Sequence, residues 1–314
     1  MPPKLIFGGV VFDPAGSIKT VEATRATLQV LQEEGINAID TAQPGLPRSQ
    51  STPSTAGGHI PGQSGRETVI ARAEESLRRL GVDCYKVNIF YIHSPDRSAD
   101  LLDTLAGINE LHKRGKFHRF GLSNFLADEV EDVIRLATKH SFVLPTVYQG
   151  SYSAVTRRPE KELLPVLRSH GMSFYAYSPI AGGFLAKTRE DIAAGQGRWD
   201  PRTAFGKFNL ALFDNEAMLA GLDAWAHISA KWGISRPHLA YRWIVYHSAL
   251  DGECGDGVVV GASRVDQIRG TVAALRDGPL PSAVVEEIDR VWETVRRVAV
   301  IDPVNALLLS SSFS

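Results

Sequence analysis

Residues 87–93 read Val-Asn-Ile-Phe-Tyr-Ile-His, a short and largely apolar run that ends on a histidine. A continuous apolar run of this length is typical of a β-strand that is buried on both faces, as the strands of parallel sheets are. His93, the polar residue, lies at the position where such a strand should end. This stretch therefore predicts a parallel strand that delivers His93 to one edge of a sheet.

The same pattern recurs on both sides of this stretch. Five further apolar runs end in a polar or glycine-bearing signature, and segments of helical periodicity separate most of them. Strands that alternate with helices predict βαβ units and an α/β fold with a parallel sheet. A chain of 314 residues fits one (β/α)8 TIM barrel, with residues 1–314 as a single domain. The carboxyl ends of barrel strands converge on one face, so we expect one pocket to contain Asp40, His93, Ser123, Asn124, Gln149 and Tyr177.

The segments between the runs predict helices with defined buried faces. From Thr20 to Glu34 the apolar residues Val21, Leu28 and Leu31 are expected to face the core. The helix that begins near residue 67 is expected to carry two exposed i,i+4 ion pairs, between residues 74 and 78 and between residues 75 and 79. A single helix is expected over residues 159–170.

The composition argues against several classes of function. The net charge of −1 gives no basic surface for nucleic acid or for an anionic membrane. The first residues lack the apolar core of a signal peptide, and no run approaches the roughly 18 apolar residues of a membrane span. Cys84 and Cys254 have neither metal nor disulfide spacing, which favours a reducing compartment. We predict a soluble, cytoplasmic protein with no metal site and no nucleic-acid or membrane partner.

Three segments depart from the strand–helix pattern. Residues 42–65 consist almost wholly of Gly, Pro, Ser, Thr, Gln and Ala, where a barrel would have a helix and its third strand. So long a loop inside a compact domain is uncommon and is usually functional or disordered. Residues 182–215 are a candidate lid over the open face of the barrel. The tail, residues 298–314, is apolar and either frays or folds back over the pocket.

The motifs, taken in order, resemble one known family. They occupy residues 39–42, 75–83, 90–96, 116–125, 144–150 and 175–183. In this order they resemble the aldo-keto reductases, most closely the aflatoxin-aldehyde-reductase group, over residues 5–297. The resemblance implies a TIM barrel that uses NADPH, with hydride passing from the nicotinamide to the carbonyl group of a small molecule.

The resemblance also implies roles for individual residues in cofactor binding. Ser123, Asn124 and Gln149 would hold the nicotinamide carboxamide, and Tyr177 would stack on the ring. The diphosphate would be lined by Ser178, Ile180 and Gly182, and the 2′-phosphate of the adenosine by Gly261, Ser263, Arg264 and Gln267. Arg264 is the candidate phosphate partner because a guanidinium binds phosphate bidentately. Where the family has an asparagine that contacts adenine, this chain has Thr271.

The chain matches two of the four catalytic residues that the family implies, an Asp, a Tyr, a Lys and a His. Asp40 and His93 are the matches. The tyrosine would lie five residues after Asp40, where the sequence has Gly45, and no lysine occurs between Asp40 and Lys86. Tyr85 and Lys86 begin a strand, so they would lie at the opposite end of the barrel from the site.

A different proton donor is therefore needed, since a positioned general acid contributes about 10²–10⁴ in rate. His93 is the natural candidate because the ordinary pKa of histidine, about 6.5, lets it carry a proton at neutral pH. His59 or a serine of residues 42–65 are alternatives.

Three functions remain open at this point. The first is an NADPH-dependent oxidoreductase that reduces an aldehyde or ketone with an incomplete catalytic set. The second is the same fold used for non-redox chemistry, such as dehydration, isomerisation or cyclisation, with His93 and Asp40. The third is a catalytically inactive binding protein.

Overall fold

A computed structural model describes residues 1–12, 16–41, 64–80, 87–301 and 303. Gly45, His59, Tyr85 and Lys86 lie outside the described residues. Residues 42–63 also lie outside the described residues, so the predicted replacement of the third strand by residues 42–65 stays a prediction. Most of the tail at 298–314 lies outside them as well. Within the described part, no helix is both long enough and apolar enough to cross a bilayer.

Seven β-strands occur in the described residues, and helices separate most of them. The strands are β1 (Lys4–Gly8), β2 (Ile39–Asp40), β3 (Ile89–Ile92), β4 (Arg119–Ser123), β5 (Pro145–Ser151), β6 (Ser173–Tyr177) and β7 (Gly257–Val260). The helices are α1 (Val21–Glu33), α2 (Arg66–Leu80), α3 (Leu101–Lys113), α4 (Ala127–Lys139), α5 (Pro159–Glu162), α6 (Leu164–Ser169), α7 (Arg189–Ala193), α8 (Ala204–Phe213), α9 (Glu216–Trp232), α10 (Arg236–Tyr246), α11 (Val265–Arg276) and α12 (Ser282–Val295). This alternation confirms the predicted α/β class.

The chain forms two compact units. The first comprises Met1–Ile39, Ser151–Glu162 and Ala176–Ser314, and the second comprises Asp40–Gly150 and Leu163–Tyr175. In the first unit β1 and β7 are parallel partners. In the second unit the strands are ordered β6-β5-β4-β3, with β3 parallel to β4 and β4 parallel to β5. Parallel pairing places the carboxyl ends of neighbouring strands at the same edge of the sheet.

Helix α1 buries a different face from the one predicted. Val21 and Leu28 are 62% and 41% exposed, whereas Thr27, Val30 and Leu31 are buried. The buried residues have the i, i+3, i+4 spacing of one helical stripe. Val21 and Leu28 fall outside that stripe, so the prediction was right only for Leu31.

The ion pairs of helix α2 are also partly different from those predicted. Glu75 binds Arg79 at 2.5 Å, as expected, and also Arg78 at 2.8 Å. These two arginines lower the pKa of Glu75 to about 2. Glu74 does not pair with Arg78 but lies 3.2 Å from Arg114, just after α3. The predicted pair fails because Arg78 is held by Glu75, while Glu74 faces the neighbouring helix.

The single helix predicted for residues 159–170 is two short helices, α5 and α6. Leu163 separates them and has non-helical backbone angles. Pro165 follows at the start of α6, and its nitrogen has no hydrogen to donate to the preceding turn. The proline thus explains why α5 does not continue into α6.

Residues 182–215 contain the short helices α7 and α8 and are anchored by aromatic packing. The rings of Phe184 and Phe213 stack with centroids 4.9 Å apart, and Trp199 lies 6.1 Å from Phe184. All three side chains are buried. This cluster fixes both ends of the segment within the first unit, and its role as a lid stays a prediction.

A buried polar network ties several loops of the first unit together. The hydroxyl of Tyr152 donates to Glu160 at 2.7 Å and accepts from the N–H of Ala249 at 2.9 Å. Arg157 binds both Glu160 at 2.8 Å and Asp289 at 2.6 Å. Because each polar group has a partner, burial of this network carries little penalty.

A histidine connects helix α10 to the turn before α12. Nε2 of His247 accepts a hydrogen bond of 2.7 Å from the backbone N–H of Leu280. Burial, followed by the charge of Arg242, lowers the pKa of His247. The contact requires a neutral imidazole, because a protonated ring has no acceptor nitrogen.

Candidate active site

Two of the predicted site residues, Asp40 and Gln149, are joined by a hydrogen bond in the second unit. Nε2 of Gln149 donates to Oδ1 of Asp40 at 3.1 Å. Asp40 ends β2, and Gln149 lies near the end of β5, so the contact joins residues that are far apart in sequence. Burial raises the pKa of the Asp40 carboxyl, and the hydrogen bond from Gln149 partly opposes this effect.

The ends of β3 and β4 are joined by a second set of hydrogen bonds. Nδ2 of Asn124 donates to the backbone carbonyl of His93 at 2.8 Å and to Oγ of Ser123 at 3.1 Å. Asn124 has a positive φ of 60°, a backbone conformation that asparagine tolerates better than most residues. Ser123 and Asn124 are both buried. The turn after β4 therefore holds two polar side chains rigidly beside the end of β3.

Strand register places these two sets on one face of the sheet. Ser123 lies opposite Gln149 in the β4–β5 pair, and Tyr91 lies opposite Gly121 in the β3–β4 pair. Side chains two residues apart on a strand share a face. His93 therefore lies on the same face as Tyr91, and Ser123 on the same face as Gly121.

Tyr91 belongs to this site although the sequence analysis did not single it out. Its hydroxyl oxygen is shielded from solvent and lies beside the side chain of Gln149. Burial, then the charge of Asp40, then Tyr175 raise the pKa of Tyr91 well above its ordinary value. The signal was present in the sequence, because Tyr91 precedes His93 by two residues and must share its face.

Gly121 makes room for the Tyr91 ring. A Cβ atom on Gly121 would lie 2.5 Å from two ring carbons of Tyr91. No ordinary contact is that short, so glycine is required for the ring to pack flat against the strand. The packing of β4 thus sets the position of the Tyr91 hydroxyl.

In the first unit, the end of β6 leads into a tight turn. Ser178, Ala181 and Gly182 have positive φ values of 56°, 51° and 66°. The N–H of Ala181 donates to the carbonyl of Ser178 at 2.8 Å, and the N–H of Gly183 donates to that of Ile180 at 3.0 Å. Tyr177 precedes this turn, and the predicted diphosphate residues form it.

The end of β7 and the start of α11 carry the remaining predicted cofactor residues. Oε1 of Gln267 accepts from the N–H of Ser263 at 2.8 Å and from its hydroxyl at 3.0 Å. Arg264 makes a two-pronged contact with Asp266, both distances being 3.0 Å. Asp266 raises the pKa of Arg264, and Arg264 lowers the pKa of Asp266. The candidate phosphate partner is thus already paired with a carboxylate.

Gly261 and Thr271 both contact Tyr241. The Tyr241 hydroxyl donates to the carbonyl of Gly261 at 3.4 Å and lies beside the side chain of Thr271. Tyr241 is buried, and burial raises its pKa to about 12.

The structure brings together one subset of the predicted site. Hydrogen bonds and strand register group Asp40, His93, Ser123, Asn124 and Gln149, all in the second unit, and add Tyr91. The other predicted residues lie in the first unit at the ends of β6 and β7: Tyr177, Ser178, Ile180, Gly182, Gly261, Ser263, Arg264 and Gln267.

The site has amide, carboxylate and hydroxyl groups at the ends of parallel strands. This arrangement is typical of oxidoreductases with a (β/α)8 barrel, and comparison with known proteins supports this class. The sequence profile of the Aldo/keto reductase family matches residues 54–293. The chain belongs to this family, which confirms the resemblance and the barrel class. It is 37% identical to oxidoreductase sirO of Leptosphaeria maculans, over 95% of this chain and 96% of that protein.

Other similar proteins carry reductase names. The chain is 35% identical to aflatoxin B1 aldehyde reductase member 2 of Rattus norvegicus, over 87% of this chain and 81% of that protein. It is 39% identical to aflatoxin B1 aldehyde reductase member 4 of Homo sapiens, over 72% of this chain and 70% of that protein. These similarities extend to both units of the chain.

Proposed function

We propose that the protein is an NADPH-dependent oxidoreductase that reduces the carbonyl group of a small aldehyde or ketone. The observation that carries the proposal is the arrangement of polar side chains at neighbouring strand ends. Asn124 hydrogen-bonds Ser123, Ser123 lies in register with Gln149, and Gln149 hydrogen-bonds Asp40. A carboxamide presents one acceptor oxygen and two donor hydrogens, so its binding site must offer both donors and acceptors in fixed places. One hydroxyl and two side-chain amides, held by neighbouring groups, meet this requirement. The residues present therefore fit a nicotinamide cofactor.

The remaining cofactor contacts are proposed on the family pattern. We assign Tyr177 to stacking on the nicotinamide ring, and the turn that contains Ser178, Ile180 and Gly182 to the diphosphate. Gly261, Ser263, Arg264 and Gln267 are assigned to the 2′-phosphate that distinguishes NADPH from NADH. The N-terminal end of α11 favours an anion through its helix dipole. A phosphate there would have to compete with Asp266 for Arg264.

Catalysis is assigned to His93 and Asp40. When bound, the cofactor supplies a hydride for the carbonyl carbon. We propose that the imidazole of His93 delivers a proton to the carbonyl oxygen, since the position of the family's tyrosine is Gly45. Asp40 acts in the same pocket, with its carboxyl group bound to Gln149.

One observation favours a second function, non-redox acid–base chemistry. The pKa of Asp40 is raised by burial, so its carboxyl group can hold a proton at a higher pH than an exposed aspartate. Together with His93 it could provide an acid and a base for dehydration, isomerisation or cyclisation. This function would require no consumption of the cofactor.

The decisive experiment follows NADPH absorbance while purified protein is offered a panel of aldehydes and ketones. We expect NADPH to be consumed, and we expect His93→Ala to abolish consumption while cofactor affinity is kept. Arg168→Ala, a change on helix α6 away from these residues, is the matched control. Conversion of a substrate without NADPH consumption would support the second function. Absence of turnover together with absence of cofactor binding would refute both and favour an inactive binding protein.

We also place the activity in the cytoplasm. Cys254 is exposed and has a reduced thiol, as expected for a protein kept in a reducing compartment. Fractionation of cells that produce the protein should recover it with the cytosol, and recovery in a secreted fraction would contradict this location.

A further inference from the structure

The amide of Gln149 has two chemically different ends, and the group beside it decides which end is turned outward. Its Nε2 can only donate and its Oε1 can only accept. Nε2 lies 3.1 Å from Oδ1 of Asp40. An ionised carboxylate can only accept, so the contact is satisfied only when Nε2 faces Asp40. Oε1 is then the end available for a ligand.

Asp40 is suited to this task because, within the part of the chain that the structure describes, no cation holds its carboxylate. Among the described residues, no Lys, Arg or His side chain lies within salt-bridge distance of Asp40. The lysine that the family pattern would place at the end of the third strand does not occur in the sequence between Asp40 and Lys86. The Gln149 amide is the hydrogen-bond donor that the structure gives to this carboxylate.

The neighbouring groups hold the pair in place. The hydroxyl of Tyr91 of β3 lies beside Gln149, and its ring is packed against Gly121 of β4. On the adjacent strand, Ser123 lies in register with Gln149. The amide is thus confined from two strands, and Asp40 sets its direction.

We infer that Asp40 is a positioning residue for cofactor binding: its carboxylate orients Gln149 so that Oε1 accepts a hydrogen bond from the amide hydrogens of the nicotinamide carboxamide. This inference rests on the proposed function. It gives Asp40 a role that does not require the missing tyrosine and lysine. In this role Asp40 acts through Gln149, separately from its assignment to catalysis.

The role predicts that cofactor affinity depends on pH. A protonated Asp40 can donate to Oε1, so the amide loses its preferred direction and affinity falls. Because burial raises the pKa of Asp40, this loss of affinity should begin at a pH above the ordinary aspartate pKa of about 3.9. Among the described residues, Tyr91 of β3 lies beside the pair, Tyr175 of β6 and Arg119 of β4 act on Tyr91 by their charge, and His93 directly follows β3. A variant at Asp40 itself is therefore needed to assign the pH effect.

The test is an equilibrium titration of the full chain with NADPH, followed by tryptophan fluorescence, from pH about 8 to about 5. For the unmodified protein we expect Kd to rise as the pH falls. Asp40→Asn keeps the size of the side chain but cannot ionise, so its Kd should be a few-fold higher and its pH profile flatter. Asp40→Leu removes the acceptor and should weaken binding by about 10-fold, the effect of one hydrogen bond to a charged group.

A double-mutant cycle separates positioning from any other role of Asp40. In a Gln149→Leu background, Asp40→Leu should have no further effect on Kd. An equal loss in both backgrounds would overturn the inference, because Asp40 would then act independently of Gln149. So would an Asp40→Asn profile that matches that of the unmodified protein. If Asp40→Leu does not fold, as judged by circular dichroism, the Asp40→Asn profile alone decides. Failure of the unmodified protein to bind NADPH would instead refute the proposed function. That result differs from the outcomes above, in which NADPH binds but Asp40 does not act through Gln149.

Discussion

Gly121→Ala should test how closely the site depends on packing beneath it. The added Cβ would lie 2.5 Å from the Cδ1 and Cε1 atoms of Tyr91 and 3.1 Å from a methyl carbon of Ile89. Ordinary carbon contacts are about 3.5–4.0 Å, so the ring must move by about 1 Å. Overpacking of this kind costs about 1–3 kcal/mol. Because the Tyr91 hydroxyl lies beside Gln149, the shift should also weaken NADPH binding.

The assay combines urea denaturation with NADPH titration. Gly270→Ala is the matched control, because a Cβ there meets no atom within 4 Å and the residue lies inside helix α11. That change should leave Kd unaltered and should stabilise the protein by about 0.5–1 kcal/mol, since alanine has the higher helix propensity. If Gly121→Ala is as stable as the unmodified protein and binds NADPH equally well, the packing argument is refuted. The cost should also shrink when Tyr91→Ala removes the ring.

Further predictions concern stability, pH and cofactor choice. Tyr152→Phe removes the hydroxyl that accepts from the N–H of Ala249 and donates to Glu160, so urea denaturation should show a loss of about 1–3 kcal/mol with no change in cofactor Kd. The pKa of His247 is lowered in the folded state, so below neutral pH the unfolded chain binds more protons than the folded chain. The stabilisation from neutral His247 is therefore complete above the ordinary histidine pKa of about 6.5 and is lost as the pH falls through the folded-state pKa. Denaturation at pH about 7.5 and about 5.5 should show this loss, and His247→Gln should reduce the difference. Asp266→Asn frees Arg264 and should tighten NADPH binding without changing the Kd for NADH, whereas Arg264→Leu should weaken NADPH binding alone. Equal effects on both cofactors would contradict the assignment of Arg264 to the 2′-phosphate.

The strand ends were the part of the site most accessible to prediction. Apolar runs that close on a polar residue identify parallel strands, and parallel strands end at one edge. For this reason Asp40, Ser123 and Gln149 could be grouped from sequence. In the structure Gln149 hydrogen-bonds Asp40, and Ser123 lies opposite Gln149 in the strand register.

Features that depend on tertiary neighbours were missed. The buried face of α1 is decided by what it packs against, so Val21 and Leu28 are exposed despite their apolar character. Glu74 pairs with Arg114 because another helix lies beside it, which local spacing cannot indicate. Tyr91 was overlooked because a tyrosine within an apolar strand looks like a core residue until its face is known. The hydrogen bond from Gln149 to Asp40 spans more than a hundred residues and follows only from the fold.

The central claim is that the second unit's amide and hydroxyl cluster binds a nicotinamide cofactor, and an NADPH titration tests it most directly. Tryptophan fluorescence of the purified chain should saturate with micromolar affinity, and Gln149→Leu should raise Kd by about 10-fold or more. Absence of saturable binding, or an unchanged Kd in Gln149→Leu, would contradict the claim.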